Sequence, residues 1–271
     1  MTTLLESTAF DLMSKRKGLS CDGSPIHYLA LGSSHGDYGF NPFWLGNAFN
    51  LCSVSQDLCL SFKLYEHILQ NNEHYPRLEK LCHIILFFSV FSPGFNLLKS
   101  SEKTRYLAFC KVFGLNLPDD PDLHNLNEVK GFVPDKTPLL YDGFRRTNTR
   151  YFFSGDYIDK RAAGHLFYNK GKKELHWLDK ILIMARKHGH KVLIVLSPAH
   201  PDYKERMPET SFLFDDVYRR EADVLDLYSC TSFDSCFGDS DHLYPASQGP
   251  RLLAQKICLF YGGGGLILLT F

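Results

Sequence analysis

No two cysteines of the chain are spaced as CxxC, which excludes a zinc ribbon and a thioredoxin-type dithiol. The eight cysteines (Cys21, Cys52, Cys59, Cys82, Cys110, Cys230, Cys236 and Cys258) stand singly in apolar surroundings. In a chain of this size they read as free, mostly buried thiols, which favours a reducing compartment. An excess of charge of one sign is also missing. The 30 basic residues balance 30 acidic ones, so no global field attracts nucleic acid or an anionic membrane. Long apolar runs are lacking as well: the longest, 84–91 and 266–271, are too short to cross a bilayer as a helix. The amino-terminal stretch MTTLLESTAFDLMSKRKG has acids and polar groups where a secretory signal needs a basic start and an unbroken apolar run. The expectation is a cytoplasmic protein. There is no internal repeat, and the glycine run 262–265, with no helix after it, reads as a flexible turn rather than a phosphate loop.

What is present is a series of short apolar runs alternating with longer amphipathic stretches, the pattern of a mostly parallel sheet covered by helices on both faces. Strands are expected at 26–31, 48–52, 83–89, 190–196 and 223–228, the third apolar on both alternating faces and therefore central. Helices are expected at 56–69, near 99–113, at 174–187 and at 246–260. At 271 residues the chain is long enough for one such domain. An insertion at about 94–170 precedes the fourth strand, far longer than an ordinary crossover. Its part from 118 to 166 is rich in Pro, Asp, Asn and Gly and reads as a lid or docking surface. The fold class is α/β: a three-layer α/β/α sandwich with a five-stranded, flavodoxin-like sheet.

A serine hydroxyl attacks an ester only with an imidazole to take its proton and amide donors to hold the oxyanion. Gly32-Ser33-Ser34-His35-Gly36 follows the first strand directly, where a tight turn exposes a side chain above the sheet at the start of a helix. Asp239-Ser240-Asp241-His242 falls between the last strand and the last helix, a loop that returns to the same sheet edge in a doubly wound topology. An acid three residues before a histidine can accept its Nδ1 proton and leave Nε2 facing the serine.

These motifs resemble the first and last blocks of the SGNH (GDSL-like) hydrolases. The resemblance aligns Ser34 with the nucleophile, places Ser33 where the family usually has Asp, and aligns Asp239 and His242 with the triad acid and base. It is greatest for the divergent bacterial branches acting on cell-surface or exopolysaccharides, among them the D-alanylation acyl-esterases and alginate acetylation proteins. The stretch 49–58 looks like the second block, with its donor amide falling near Cys52 or Ser53. The third block, Gly-x-Asn-Asp, is not recognisable, and Ser89 or Asn96 stand in for its oxyanion Asn. His35 and His200, the latter in the loop after the fourth strand, are placed on the substrate side. The resemblance implies an esterase or O-acyltransferase acting on acyl, chiefly acetyl, esters of a carbohydrate, with no cofactor.

Each motif has a plainer alternative. Ser34 suits a helix N-cap, Asp239 an Asx-turn and Asp241 the cap of the last helix; Asp241 is also a rival partner for His242. His35 and Asp37 could ligate a metal with His83 or His200, as in a metal-dependent phosphoesterase. Arg145, Arg146 and Arg150 could bind an anionic sugar or phosphate or equally belong to an ordinary solvated loop, and Tyr151, Phe152, Phe153 and Tyr157 could stack on a sugar ring or simply anchor a loop. A catalytically silent module that binds a glycan or a pathway partner is the alternative to an enzyme.

Overall fold

The computed structural model describes residues 3–128, 137–146 and 154–262. Strands β1 (Tyr28–Gly32), β2 (Ala48–Asn50), β3 (His83–Phe88), β4 (Lys191–Leu196) and β5 (Asp223–Asp226) form one parallel sheet. Their order is β2-β1-β3-β4-β5. The alternation read from the sequence sorts the two faces. Leu29, Leu31, Ile84, Leu86, Phe88, Val192, Ile194 and Leu196 belong to one buried cluster. Ala30, Ile85, Phe87, Leu193 and Val195 belong to the other. With both faces covered, the strands are continuous apolar runs.

Helices follow in chain order as α1 (Leu4–Ser20), α2 (Ser34–Gly39), α3 (Leu58–Gln70), α4 (Thr104–Phe113) and α5 (Pro121–Glu128). After these come α6 (Gly155–Gly171), α7 (Leu175–Lys187), α8 (Pro201–Lys204), α9 (Thr210–Tyr218) and α10 (Gly249–Phe260). Residues of α1, α3, α4 and α7 pack in the first cluster. Leu253, Ala254 and Ile257 of α10 pack in the second. This is a three-layer α/β/α arrangement. Among the described residues no helix is long and apolar enough to cross a membrane.

The chain leaves β1 for β2 on one side and returns to β3 on the other, so the strand order reverses beside β1. Such a switch point opens a crevice at the carboxyl ends of the strands, the usual ligand site of this architecture. Two glycines let β1 turn there. Gly32 has φ +135°, and a Cβ on it would lie 2.7 Å from the Phe87 carbonyl oxygen; a Cβ on Gly36 would collide with Cys52 and Phe87.

The sequence reading missed five helices, and two of them bear on the site. Helix α1 is closed by a capping box between Thr3 and Glu6, but its inward face carries Thr8, Ser14 and Lys15 beside Ala9 and Leu12, so its apolar period is weak. Helix α6 begins inside the stretch 118–166 read as a lid or docking surface and runs past its end to Gly171. Ser154 accepts a hydrogen bond from the Tyr157 amide at its start. The buried Asn169 of α6 donates to the carbonyls of Val90 and Leu213 at 2.8 and 3.1 Å. Arg145 also departs from expectation: it pairs with Asp11 at 3.3 Å and covers the Phe10 ring, anchoring its loop to α1. Tyr157 is exposed and accepts a hydrogen bond from Arg161 instead of facing a cavity. Arg150, Tyr151, Phe152, Phe153 and the glycines after Gly262 lie outside the described residues.

Lys15, fully buried on α1, joins three segments. Its ammonium pairs with Asp37 of α2 at 2.5 Å and Asp11 at 3.4 Å, and donates to the Cys52 carbonyl after β2. Burial opposes its charge, but Asp11 and Asp37 hold the pKa above its ordinary value. Burial pushes the Asp37 carboxyl up to about 6 against the pull of Lys15. Removing one partner of a buried pair strands the other. Lys15→Met is expected to lower stability by about 3–5 kcal/mol in urea unfolding, and adding Asp37→Leu to recover more than half of that loss.

Candidate active site

Ser34 is the first residue of α2 and stands immediately outside β1, raised above the carboxyl edge of the sheet by the Gly32 turn. The N-cap position falls to Ser33, whose hydroxyl lies 3.1 Å from His35 Nδ1 instead of capping the helix. The Ser34 hydroxyl is therefore not spent on capping: its Oγ lies 2.7 Å from His242 Nε2. His242 Nδ1 lies 2.8 and 3.0 Å from the two oxygens of Asp239. One of those oxygens also accepts the amides of Asp241 and His242, at 3.0 and 2.8 Å, which pins the carboxylate beneath the ring. Serine, imidazole and carboxylate thus form a continuous chain although Ser34 and His242 are 208 residues apart.

Asp241, the rival partner, has a different place. One of its oxygens lies 3.8 Å from His242 Nδ1, beyond hydrogen-bond reach. Its carboxylate is fully buried and takes a two-point hydrogen bond from Arg161 of α6, Nε at 2.5 Å and Nη2 at 3.1 Å. It also accepts from the Ser240 hydroxyl at 3.0 Å and meets His35 Nε2 at 3.1 Å. His165, one turn after Arg161 on α6, lies 3.8 Å from the same carboxylate, with its Nδ1 2.7 Å from the Tyr203 hydroxyl.

The electrostatics follow from this packing. Burial works against the Asp241 charge, but Arg161 and His242 outweigh it and hold its carboxyl well below the usual range. The Asp239 carboxyl is likewise lowered, burial being overcome by His242. Burial disfavours the His242 imidazolium, yet Asp241 and Asp239 raise its pKa above the ordinary value while Arg161 pulls it down. His35 is lowered by burial against the pull of Asp241. Burial pushes His165 down to about 3. A neutral His35 donates from Nε2 to Asp241 and accepts the Ser33 proton at Nδ1.

A cavity of about 220 Å³ opens beside Ser34. Phe91, Phe95 and Tyr168 give it an aromatic wall; Ser55, Ser100, Ser101 and Glu102 give it a polar one, and Arg161 and His165 reach it from α6.

Several sequence-based assignments need correction. The Cys52 amide donates to Asn50 Oδ1 at 3.0 Å and the Ser53 amide to the Gly32 carbonyl at 3.1 Å, so both are engaged within the fold. The amides of Val54 and Ser55 have no hydrogen bond among the described residues. Ser55, at the cavity wall, has φ +59°, the left-handed conformation glycine favours. The Ser89 amide and hydroxyl meet Ser92 Oγ at 3.0 and 3.2 Å, and the Asn96 amide donates to Glu174 at 3.0 Å; neither borders the cavity. His200 caps α8 by accepting the Asp202 amide at 3.2 Å and packs on Phe237, also away from the cavity.

The metal alternative does not assemble, because Asp37 is held by Lys15 and His83 stacks on Tyr28 at the amino end of β3. His35, Asp241 and His242 do bring ligand atoms within 4.8 Å of one another. Arg161 occupies both oxygens of that carboxylate and adds a positive charge where a dication would sit. Arg161 and His165 were not foreseen; their spacing of four puts them on one helix face, the only trace they leave in the sequence.

No protein-family model matches the chain, and no curated protein sequence matches it significantly.

Opposite neighbours of His242 yield opposite pH shifts. Asp239, Asp241, Arg161, His35, His165 and Tyr38 are among the charged or titratable groups around it. If the free imidazole is the active form, Asp241→Asn removes a charge that raises its pKa, and the acid limb of serine reactivity should move to lower pH. Arg161→Gln removes a charge that lowers it, so the limb should move to higher pH. Each shift should be on the order of one unit, read as the pH dependence of fluorophosphonate labelling.

Proposed function

We propose that the chain is a serine esterase or O-acyltransferase acting on acyl, chiefly acetyl, esters of a carbohydrate or glycan precursor. One observation carries the reading: Ser34 Oγ 2.7 Å from His242 Nε2, with Asp239 behind the imidazole at 2.8 Å. The resemblance of the Ser34 and Asp239/His242 motifs to the first and last SGNH blocks supports it, as does their meeting at the switch point of a flavodoxin-like sheet.

In the first half-reaction the Ser34 oxygen forms a bond to the ester carbonyl carbon while its proton passes to His242 Nε2. The carbonyl π electrons move onto oxygen. Asp239 accepts the Nδ1 hydrogen bond and stabilises the imidazolium. The C–O bond to the leaving alcohol then breaks, and His242 returns the proton to that alcohol, leaving an acyl-Ser34 ester. Water or a sugar hydroxyl repeats the sequence in reverse; the acceptor decides between esterase and transferase. Ser34's own amide, which as the first of a helix has no partner within it, and the Ser55 amide are the donors available to the oxyanion. The eight thiols are free in the structure, which supports a reducing, cytoplasmic setting.

A module that binds a glycan without turning it over is the second reading, favoured by one observation: neither Ser89 nor Asn96 lines the cavity beside Ser34. Fluorophosphonate labelling of the purified chain separates the two. The enzyme reading expects labelling of wild type, its loss in Ser34→Ala and His242→Ala, and a rate lower by about a thousandfold or more in Asp239→Asn, whose imidazole takes the wrong tautomer. Folded wild-type protein that does not label would leave the binding module.

A further inference from the structure

We propose that Glu102 reads the hydroxyls of an uncharged sugar at the cavity wall and excludes acidic ones; the inference rests on Ser34 being the nucleophile of the reading above. Glu102 precedes α4, in the insertion, and its carboxylate borders the same cavity as Ser34. One oxygen, Oε2, is fully committed: it accepts the Ser55 hydroxyl at 2.6 Å and Arg105 Nε at 2.7 Å. The other, Oε1, has no hydrogen bond among the described residues, and the side chain is 39% exposed, so a ligand can reach it.

Arg105 is itself tied back to Thr8 of α1 at 2.8 Å, which fixes the carboxylate from behind. Burial pushes the Glu102 carboxyl up, but Ser55 and Arg105 outweigh it and hold it below the usual range. The group is an acceptor at neutral pH. The other ionic group at the wall, Arg161, has its charge balanced by Asp241, and His165 is neutral. The cavity wall thus holds a carboxylate with one oxygen unpartnered among the described residues, serine hydroxyls, and the aromatic rings of Phe91, Phe95 and Tyr168.

A fixed acceptor opposite aromatic rings matches the amphipathic surface of a sugar, whose hydroxyls donate at the edge and whose C–H face stacks. Arg105 reduces the Glu102 charge at Oε2, but Oε1 has no proton to give, so a hydroxyl can donate to it whereas a carboxylate or phosphate on the substrate would set acceptor against acceptor with a residual like charge. The volume of about 220 Å³ lies below the roughly 300–1,000 Å³ of clefts for larger ligands, which suits one sugar residue with its ester.

The test uses two acetyl esters differing in charge, 2-O-acetyl methyl glucoside and 2-O-acetyl methyl glucuronoside, with wild type, Glu102→Gln and Glu102→Ala. Wild type should favour the neutral ester at least about tenfold in kcat/KM. Glu102→Gln keeps the shape and removes the charge; it should collapse that ratio toward one, mainly by raising KM for the neutral ester and lowering it for the acidic one. Glu102→Ala should raise KM for the neutral ester further. A wild type that prefers the acidic ester, or a ratio within twofold of wild type in both variants, overturns the proposal. Ser34-dependent fluorophosphonate labelling of the wild type, measured on the same preparation, tells the failures apart. Labelling with an unchanged ratio overturns only the role of Glu102, whereas absence of labelling overturns the nucleophile and the sugar-reading role together.

Discussion

Asp241 is a fully buried carboxylate, and burying it sets terms for everything around it. An ionised carboxyl removed from water costs several kcal/mol unless each oxygen is paired and hydrogen-bonded. Here the partners come from three separate parts of the chain: His35 on α2, Ser240 on its own loop, and Arg161 on α6. The loop that carries His242, the helix that carries Ser34 and the inserted helix α6 are therefore joined at one charge. None of the three can shift without leaving that carboxylate unsatisfied.

The two aspartates of the Asp239-Ser240-Asp241-His242 segment meet the imidazole in different ways. Asp239 touches the imidazole and fixes its orientation; Asp241 touches it only through the field, at 3.8 Å. That field raises the His242 pKa, and Arg161 moderates it from the far side. On the proposed reading His242 is a base that must be free at working pH, and it gains from this balance because two unneutralised carboxylates beside it would favour the protonated imidazole. The inserted helix is then part of the electrostatics of the site as well as part of its wall.

The sheet was legible because its physics is local: parallel strands buried on both faces show as apolar runs, and all five fall where the runs predict, within two residues at each end. Ser34, Asp239 and His242 were legible because a glycine turn after β1 and an acid-histidine loop before α10 are short, contiguous patterns. Helices α1 and α6 were not, for a common reason. Their inward faces are partly polar, with Lys15 on one and Arg161, His165 and Asn169 on the other, so no clean apolar period of 3.6 marks them. The partners that make those residues buriable, Asp37 and Asp241, lie 22 and 80 residues away, and a pairing of that kind is a property of the fold.

The donor side of the site was misread for a more specific reason. The resemblance puts the donor amide near Cys52 or Ser53, just after Asn50-Leu51, whereas the backbone of this segment turns left-handed two to three residues later. The left-handed position is Ser55, with φ +59°. Its neighbours show why it sits later. Asn50 donates its side-chain amide to the carbonyls of Gly36 and Phe40, both at 2.8 Å, and accepts the Cys52 amide at 3.0 Å. The Ser53 amide then closes on Gly32 at 3.1 Å. Those bonds lock the strand exit to the turn that carries Ser34, and Ser55, beyond them, lines the cavity. A serine in a conformation that favours glycine costs on the order of 1 kcal/mol or more, and here its hydroxyl is spent on Glu102 at 2.6 Å. A glycine could supply the amide but not that bond. The strained residue thus couples an oxyanion donor, on the proposed reading, to the carboxylate proposed to read the substrate.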